Sequence, residues 1–168
     1  MSLNRSIQSV RSLQAPLRLI ARRTYAEHAA STIGNALRLQ FALPHETLYE
    51  GAEVKQVNLP AKSGRIGILA NHIPTVEQLE PGIVEIFTNA NNNEVKKFFI
   101  SGGFATMQPD STLCVTAVEA FPLDSFSQEN VKNLLTEAKK DLNNTDSTIA
   151  AEAQIKINLL ESLEAALK

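Results

Sequence analysis

Three histidines, one cysteine and a scatter of glycines are the first side chains here to suggest chemistry. His28, His45 and His72 stand far apart, without the close paired spacing that zinc ligands use. Cys114 is the only cysteine, which excludes an internal disulfide and a cysteine zinc site. It lies in an alternating segment and reads as a small buried residue. Ser101-Gly102-Gly103 lacks the Gly-x-Ser-x-Gly of a nucleophile elbow; a tight strand turn is the simpler reading. Gly64, Gly67 and Gly82 do not form a phosphate loop, because no Gly-Lys-Ser/Thr and no helix follows. Glu77, Glu80 and Glu85 could pair as acid and base, but they read as solvated strand or turn positions. These residues do not combine into an enzyme. The sequence predicts no catalytic residue, no bound metal and no cofactor.

The elements that position these residues come in two textures. Between residues 36 and 122 the chain reads as short strands. Leu37, Leu39, Phe41 and Leu43 alternate with Arg38, Gln40 and Ala42 up to Pro44. Val57 and Leu59 alternate up to Pro60, which reads as a strand end. Segments 66–69, 83–87, 95–100, 104–107 and 113–118 follow. Turn signals separate them: Lys62-Ser63-Gly64, Glu80-Pro81-Gly82, Asn91-Asn92-Asn93, Ser101-Gly102-Gly103 and Gln108-Pro109-Asp110-Ser111. This spacing predicts an antiparallel β-sandwich or barrel.

Residues 123–168 read as a helical hairpin. Ser127 is the expected N-cap of a first helix, with Glu129 in its first turn. Val131, Leu134, Leu135, Ala138 and Leu142 form one apolar stripe. Asn143 to Asp146 make a turn and cap the second helix. Its stripe is Ile149, Ala153, Ile157, Leu160, Leu163 and Leu167, flanked by Ile155, Leu159 and Ala166. That face is wider than a two-helix contact needs. Burying one Leu or Ile contributes about 1.5–3 kcal/mol, so the surplus calls for the sandwich or a partner.

The first 25 residues have a different character. No acid precedes Glu27, while Arg5, Arg11, Arg18, Arg22 and Arg23 alternate with serines and a spaced row of Leu, Ile and Val. An Arg-rich, acid-free, amphipathic start is the signature of an organelle-targeting segment. A potential is worth about 2.3 kcal/mol per charge per 100 mV, so five arginines gain roughly 12 kcal/mol per 100 mV towards a negative matrix. Arg23-Thr24-Tyr25-Ala26 predicts cleavage after Tyr25, with 26–35 an N-terminal extension. Without the five arginines the chain keeps 11 basic residues against 18 acidic, a formal charge of −7. That balance speaks against nucleic acid as a partner. No apolar run reaches the 18 residues a membrane span requires.

One stretch is richer in unusual residues than turns require. It runs Gly64-Arg65-Ile66-Gly67-Ile68-Leu69-Ala70-Asn71-His72-Ile73-Pro74-Thr75, then Leu79-Glu80-Pro81-Gly82. It resembles the stalk subunit of F-type ATP synthases that is called epsilon in bacteria and delta in mitochondria. That family shows Gly-x-x-Gly-Ile, then His-x-Pro, then Leu-x-Pro-Gly. The likeness continues through Phe99-Ile100-Ser101-Gly102-Gly103 and Gln108-Pro109, and back to Phe41-x-Leu-Pro-His-Glu-Thr-Leu-Tyr-Glu-Gly51. It spans nearly all of 36–168.

The resemblance implies a ten-stranded antiparallel β-sandwich followed by a two-helix antiparallel hairpin. It implies a non-catalytic rotor subunit at the foot of the central stalk, peripheral to the matrix side of the mitochondrial inner membrane. The implied partners are the gamma subunit, the ring of c subunits and the very small mitochondrial epsilon stalk subunit. By motif, Gly64, Arg65, Ile66 and Gly67 resemble the edge near the c ring. His72, Pro74 and Thr75 resemble the region near gamma and the ring. Pro81, Gly82, Gly102 and Gly103 are expected to shape turns. Some bacterial relatives bind ATP through arginines in the helical hairpin; residues 127–168 here contain none. The alternative reading is a mitochondrial small-molecule-binding sandwich.

Overall fold

The computed structural model describes residues 36–88, 94–142 and 146–168. The expected leader (1–25), the extension (26–35), the turn at 91–93 and most of the turn before the last helix lie outside the described residues.

Nine strands form one continuous sheet folded on itself. They are β1 (Leu37–Ala42), β2 (Thr47–Ala61), β3 (Gly64–Leu69), β4 (Thr75–Leu79), β5 (Gly82–Thr88), β6 (Val95–Ile100), β7 (Gly103–Met107), β8 (Thr112–Ala117) and β9 (Ala120–Pro122). The fold is held together by the 15-residue β2. Its first half pairs with β1, from Leu37↔Val54 to Ala42↔Thr47. Its second half pairs with β3 on one side and β5 on the other. One layer is therefore β4-β7-β8-β1 closed by the first half of β2. The other is β3, the second half of β2, β5, β6 and β9.

Two expectations change here. The described residues carry nine strands rather than ten, because β2 serves both layers without a break. The sheet is also not antiparallel throughout: β1 and β8 run parallel, Arg38↔Thr112 to Ala42↔Thr116. No hairpin links that pair, so nothing forces it antiparallel.

Between the layers lies an aliphatic core. Leu37, Leu39 and Phe41 of β1, Val57 and Leu59 of β2, Ile86 of β5, Ile100 of β6 and Leu113 of β8 are fully buried, each on the inward beat of its strand. Pro60 does not end β2. The β5 pairing stops at Asn58 and β4 takes over at Ala61↔Leu79, so Pro60 sits at the handover between two partners, where a missing N–H is tolerated. Its carbonyl accepts from Glu80 N at 2.9 Å.

A short 3₁₀ turn (Leu123–Ser125) leads into α1 (Gln128–Asp141) and α2 (Ser147–Ala166). Ser127 is the N-cap of α1 through its carbonyl, which accepts from Val131 N, and its side chain makes no cap bond. Asp146 caps α2 with its carboxylate, accepting from Thr148 N at 2.8 Å. The hairpin lies against the sandwich. Phe99 of β6, Val131 of α1 and Leu163 of α2 form a second core, with the Phe126 ring set edge-on to Phe99 at 5.8 Å. Ser162 Oγ donates to the Pro81 carbonyl at 2.6 Å. The surplus apolar face of the hairpin is only partly covered. Leu134 and Ile155 stay 51% and 69% exposed and line a groove with Ala138, Leu159 and Leu160.

Candidate partner interface

Gly64 opens β3 with a φ of +122°, backbone that favours glycine. It faces Ala61, which also pairs with Leu79 of β4. The turn-shaping residues gather at this same end. Leu79 pairs with Gly103, and the left-handed Gly102 precedes it. Gly82 is required by space more than by turn geometry: a Cβ there would stand 2.7 Å from Pro60 Cβ. Pro81 offers the carbonyl that holds Ser162.

Arg65 points outward from β3 and ion-pairs with Glu85 of β5. The Glu85 carboxylate also accepts from Asn58 Nδ2 at 2.9 Å, and Lys97 Nζ lies 3.7 Å from its second oxygen. Gln56 Nε2 donates in turn to Asn58 Oδ1 at 2.7 Å. Burial raises the Glu85 pKa, but hydrogen bonds from Asn58 and Arg65, with the charges of Arg65 and Lys97, more than offset it. The carboxyl is held below its ordinary range. Gly67 makes the network possible, since a Cβ there would lie 3.0 Å from both Asn58 Oδ1 and Gln56 Nε2. Glu85 is thus no solvated strand position. The 2-residue alternation along β2, β3, β5 and β6 puts these polar residues on one outer face. Their convergence depends on inter-strand register, which a single strand's pattern does not carry. Ile66 faces the other way and packs against the core.

His72, Pro74 and Thr75 sit at the opposite end of β3, roughly 15–20 Å from Gly64 at the usual rise per strand residue. The structure therefore does not merge the two expected groups into one patch. The intervening loop is tightly tied. His72 N donates to the Leu69 carbonyl at 3.3 Å, His72 Nδ1 to the Ile73 carbonyl at 2.9 Å, and Thr75 Oγ1 to the same carbonyl at 3.0 Å. Ile73 is 72% exposed at the tip. Cys114, expected to be buried, is half-buried on an outer face. Its thiol donates to Gln40 Oε1 at 3.1 Å and accepts from Gln108 Nε2 at 3.3 Å. Burial first, and the Asp110 charge second, push its pKa up despite the Gln108 bond.

Exposed apolar tips and an ordered charge network thus stand on one continuous sheet. Residues 36–121 match the family described as ATP synthase, Delta/Epsilon chain, beta-sandwich domain. The chain belongs to that family. Residues 126–165 also match the fungal epsilon subunit of F1F0-ATP synthase C-terminal domain. This delta/epsilon chain is 65% identical to the mitochondrial ATP synthase subunit delta of Saccharomyces cerevisiae, over 94% of its own length and 96% of the relative's. It is 45% identical to the Neurospora crassa protein of the same name, covering 94% and 90% of the two chains. Among solved structures it resembles a chain of the Euglena gracilis mitochondrial ATP synthase, OSCP/F1/c-ring, with a TM-score of 0.77 at 26% identity. That match covers 92% of this chain and 100% of the other. Among the described residues, no helix of this delta/epsilon chain is long and apolar enough to cross a membrane.

Proposed function

We propose that the chain is the non-catalytic delta subunit of the central stalk of a mitochondrial F-type ATP synthase. It links the gamma subunit to the c ring and turns with them, coupling proton transport to ATP synthesis. It does no bond chemistry of its own. The observation that carries this reading is the 65% identity that runs through nearly the whole length of the Saccharomyces delta subunit. The protein works on the matrix side of the inner membrane, peripheral to it, beside gamma, the c ring and the small mitochondrial epsilon subunit.

Residues 1–25 serve as the import leader, 26–35 as an extension, 36–122 as the sandwich domain and 123–168 as the hairpin domain. Gly64, Arg65, Ile66 and Gly67 form the edge next to the c ring. His72, Pro74 and Thr75 belong to the surface near gamma and the ring. Their placement at opposite ends of β3 suits a subunit that spans two partners. The groove beside Ile155 and Leu134 suits the small epsilon subunit.

The test is isolation of native complexes from mitochondria carrying a tagged version of this chain. Recovery with gamma, the c ring and the catalytic head is expected. A chain that runs alone, with normal ATP synthesis after its deletion, would refute the reading. Replacing Gly64 and Gly67 with bulky residues should cost coupling or assembly, with hydrolysis by the isolated head little changed. Full coupling in that variant would remove the ring assignment.

A further inference from the structure

Two residues other than glycine adopt left-handed backbone among the described residues: Asn71 with φ 60° and Ser111 with φ 62°. Such conformations cost about 1–3 kcal/mol each and persist where the surroundings enforce them. Forty residues apart in sequence, these two meet in space. Asn71 N donates to Ser111 Oγ at 3.1 Å, and Ser111 Oγ donates to Asn71 Oδ1 at 3.3 Å. One hydroxyl is thus donor and acceptor to a single partner residue, so its rotor is fixed.

Ser111 is itself firmly held. It is 2% exposed, and its carbonyl accepts from Arg38 N at 3.0 Å. Its neighbour Asp110 pairs with Arg38 at 3.0 Å and accepts from Thr112 N at 3.2 Å. Asn71, by contrast, opens the loop that presents His72, Ile73 and Pro74. Within that loop the hydrogen bonds run inward, while Ile73 stands 72% exposed. Ile73 therefore stands two residues beyond a strained backbone position that Ser111 enforces, and covering its side chain with a partner would be favourable.

We propose that Ser111 is a positioning residue for coupling: its hydroxyl, through Asn71, sets the Ala70–Pro74 loop so that Ile73 meets the c ring. This rests on the stalk reading above. Ser111 touches no partner; it acts through Asn71.

The test uses Ser111→Gly, which tolerates the left-handed backbone and removes the hydroxymethyl group that makes both bonds. Asn71→Asp serves as the conservative variant, since it tolerates the same backbone and keeps the accepting oxygen. Whole ATP synthase is purified from mitochondria carrying each chain. Amide exchange at Asn71, ATP synthesis and head hydrolysis are then measured. Loss of both bonds should speed exchange at Asn71 roughly tenfold or more. Ser111→Gly should lower synthesis at least twofold with hydrolysis unchanged, and Asn71→Asp should stay near wild type on both counts. Unchanged exchange, or faster exchange with normal synthesis, would overturn the positioning role. Equal loss of synthesis and complex yield in both variants would overturn it too, marking the clasp as purely structural. Absence of the wild-type chain from the complex would instead refute the stalk reading itself.

Discussion

A Cβ on Gly103 would stand 2.1 Å from the carbonyl oxygen of Thr116, so the paired strands β7 and β8 leave no room there for any side chain. The neighbouring contacts, Ala117 Cα at 2.8 Å and Thr116 C at 3.0 Å, are also backbone and cannot swing aside. Gly103→Ala must push two paired strands apart. The expected loss is about 1–3 kcal/mol or more, as for an overpacked core. Urea unfolding of the purified chain measures it; a midpoint equal to wild type would show that the strands part freely.

Glu85 supplies a pH dependence whose sign follows from its partners. Its folded pKa lies below the ordinary value because the Asn58 and Arg65 bonds and nearby cations outweigh burial. The unfolded chain therefore binds that proton more readily. The network's contribution is present above the unfolded value, near 4.3, and is lost as pH falls through the folded one. Glu85→Gln should flatten the stability curve below about pH 5. An unaltered acid limb in the variant would contradict this.

The hairpin's seat on the sandwich is both polar and apolar. Leu163 is 3% exposed, and its truncation to Ala should cost about 2–5 kcal/mol. Ser162→Ala removes one bond to the Pro81 carbonyl and should cost about 1 kcal/mol. Hydrogen exchange should quicken in α2 in both variants while β1 and β8 keep their protection. Uniform quickening throughout the chain would mean that hairpin and sandwich unfold as one unit.

Ile155 is 69% exposed on the outer side of the hairpin. Ile155→Glu should leave the isolated chain within about 0.5 kcal/mol of wild type. In the assembled enzyme it should reduce recovery of the small epsilon subunit. Normal recovery would place that partner elsewhere.

No arginine occurs between residues 127 and 168, so the hairpin lacks the bidentate phosphate donor that a nucleotide site favours. Calorimetry on the purified chain should show no saturable ATP binding. A micromolar dissociation constant would contradict that expectation.

Strands with strict alternation, such as Leu37-Leu39-Phe41, were legible because one side meets a wholly apolar core. Thr47–Glu53 and β4 were not. Their side chains are mostly exposed or half-exposed, and pairing there rests on main-chain bonds that leave no hydrophobic rhythm. Pro60 misled because it sits where β2 passes from one partner, β5, to the next, β4, and the strand runs on through the handover. At the candidate interface the motif residues stood out by type. The Glu85 network and the Asn71–Ser111 clasp did not, since each joins segments whose meeting depends on register or on loop closure across 27 and 40 residues.

The passage of β2 through both layers has a mechanical meaning. In a sandwich of two separate sheets, a twisting load can be relieved by one sheet sliding over the other across an apolar seam that offers only weak resistance to shear. Here the strand that closes one layer is covalently the strand at the heart of the other. Sliding would have to stretch peptide bonds or strip a ladder along its length. A strand shared in this way braces the two layers as one frame, so a twist applied across the sandwich would be passed on rather than spent between its sheets.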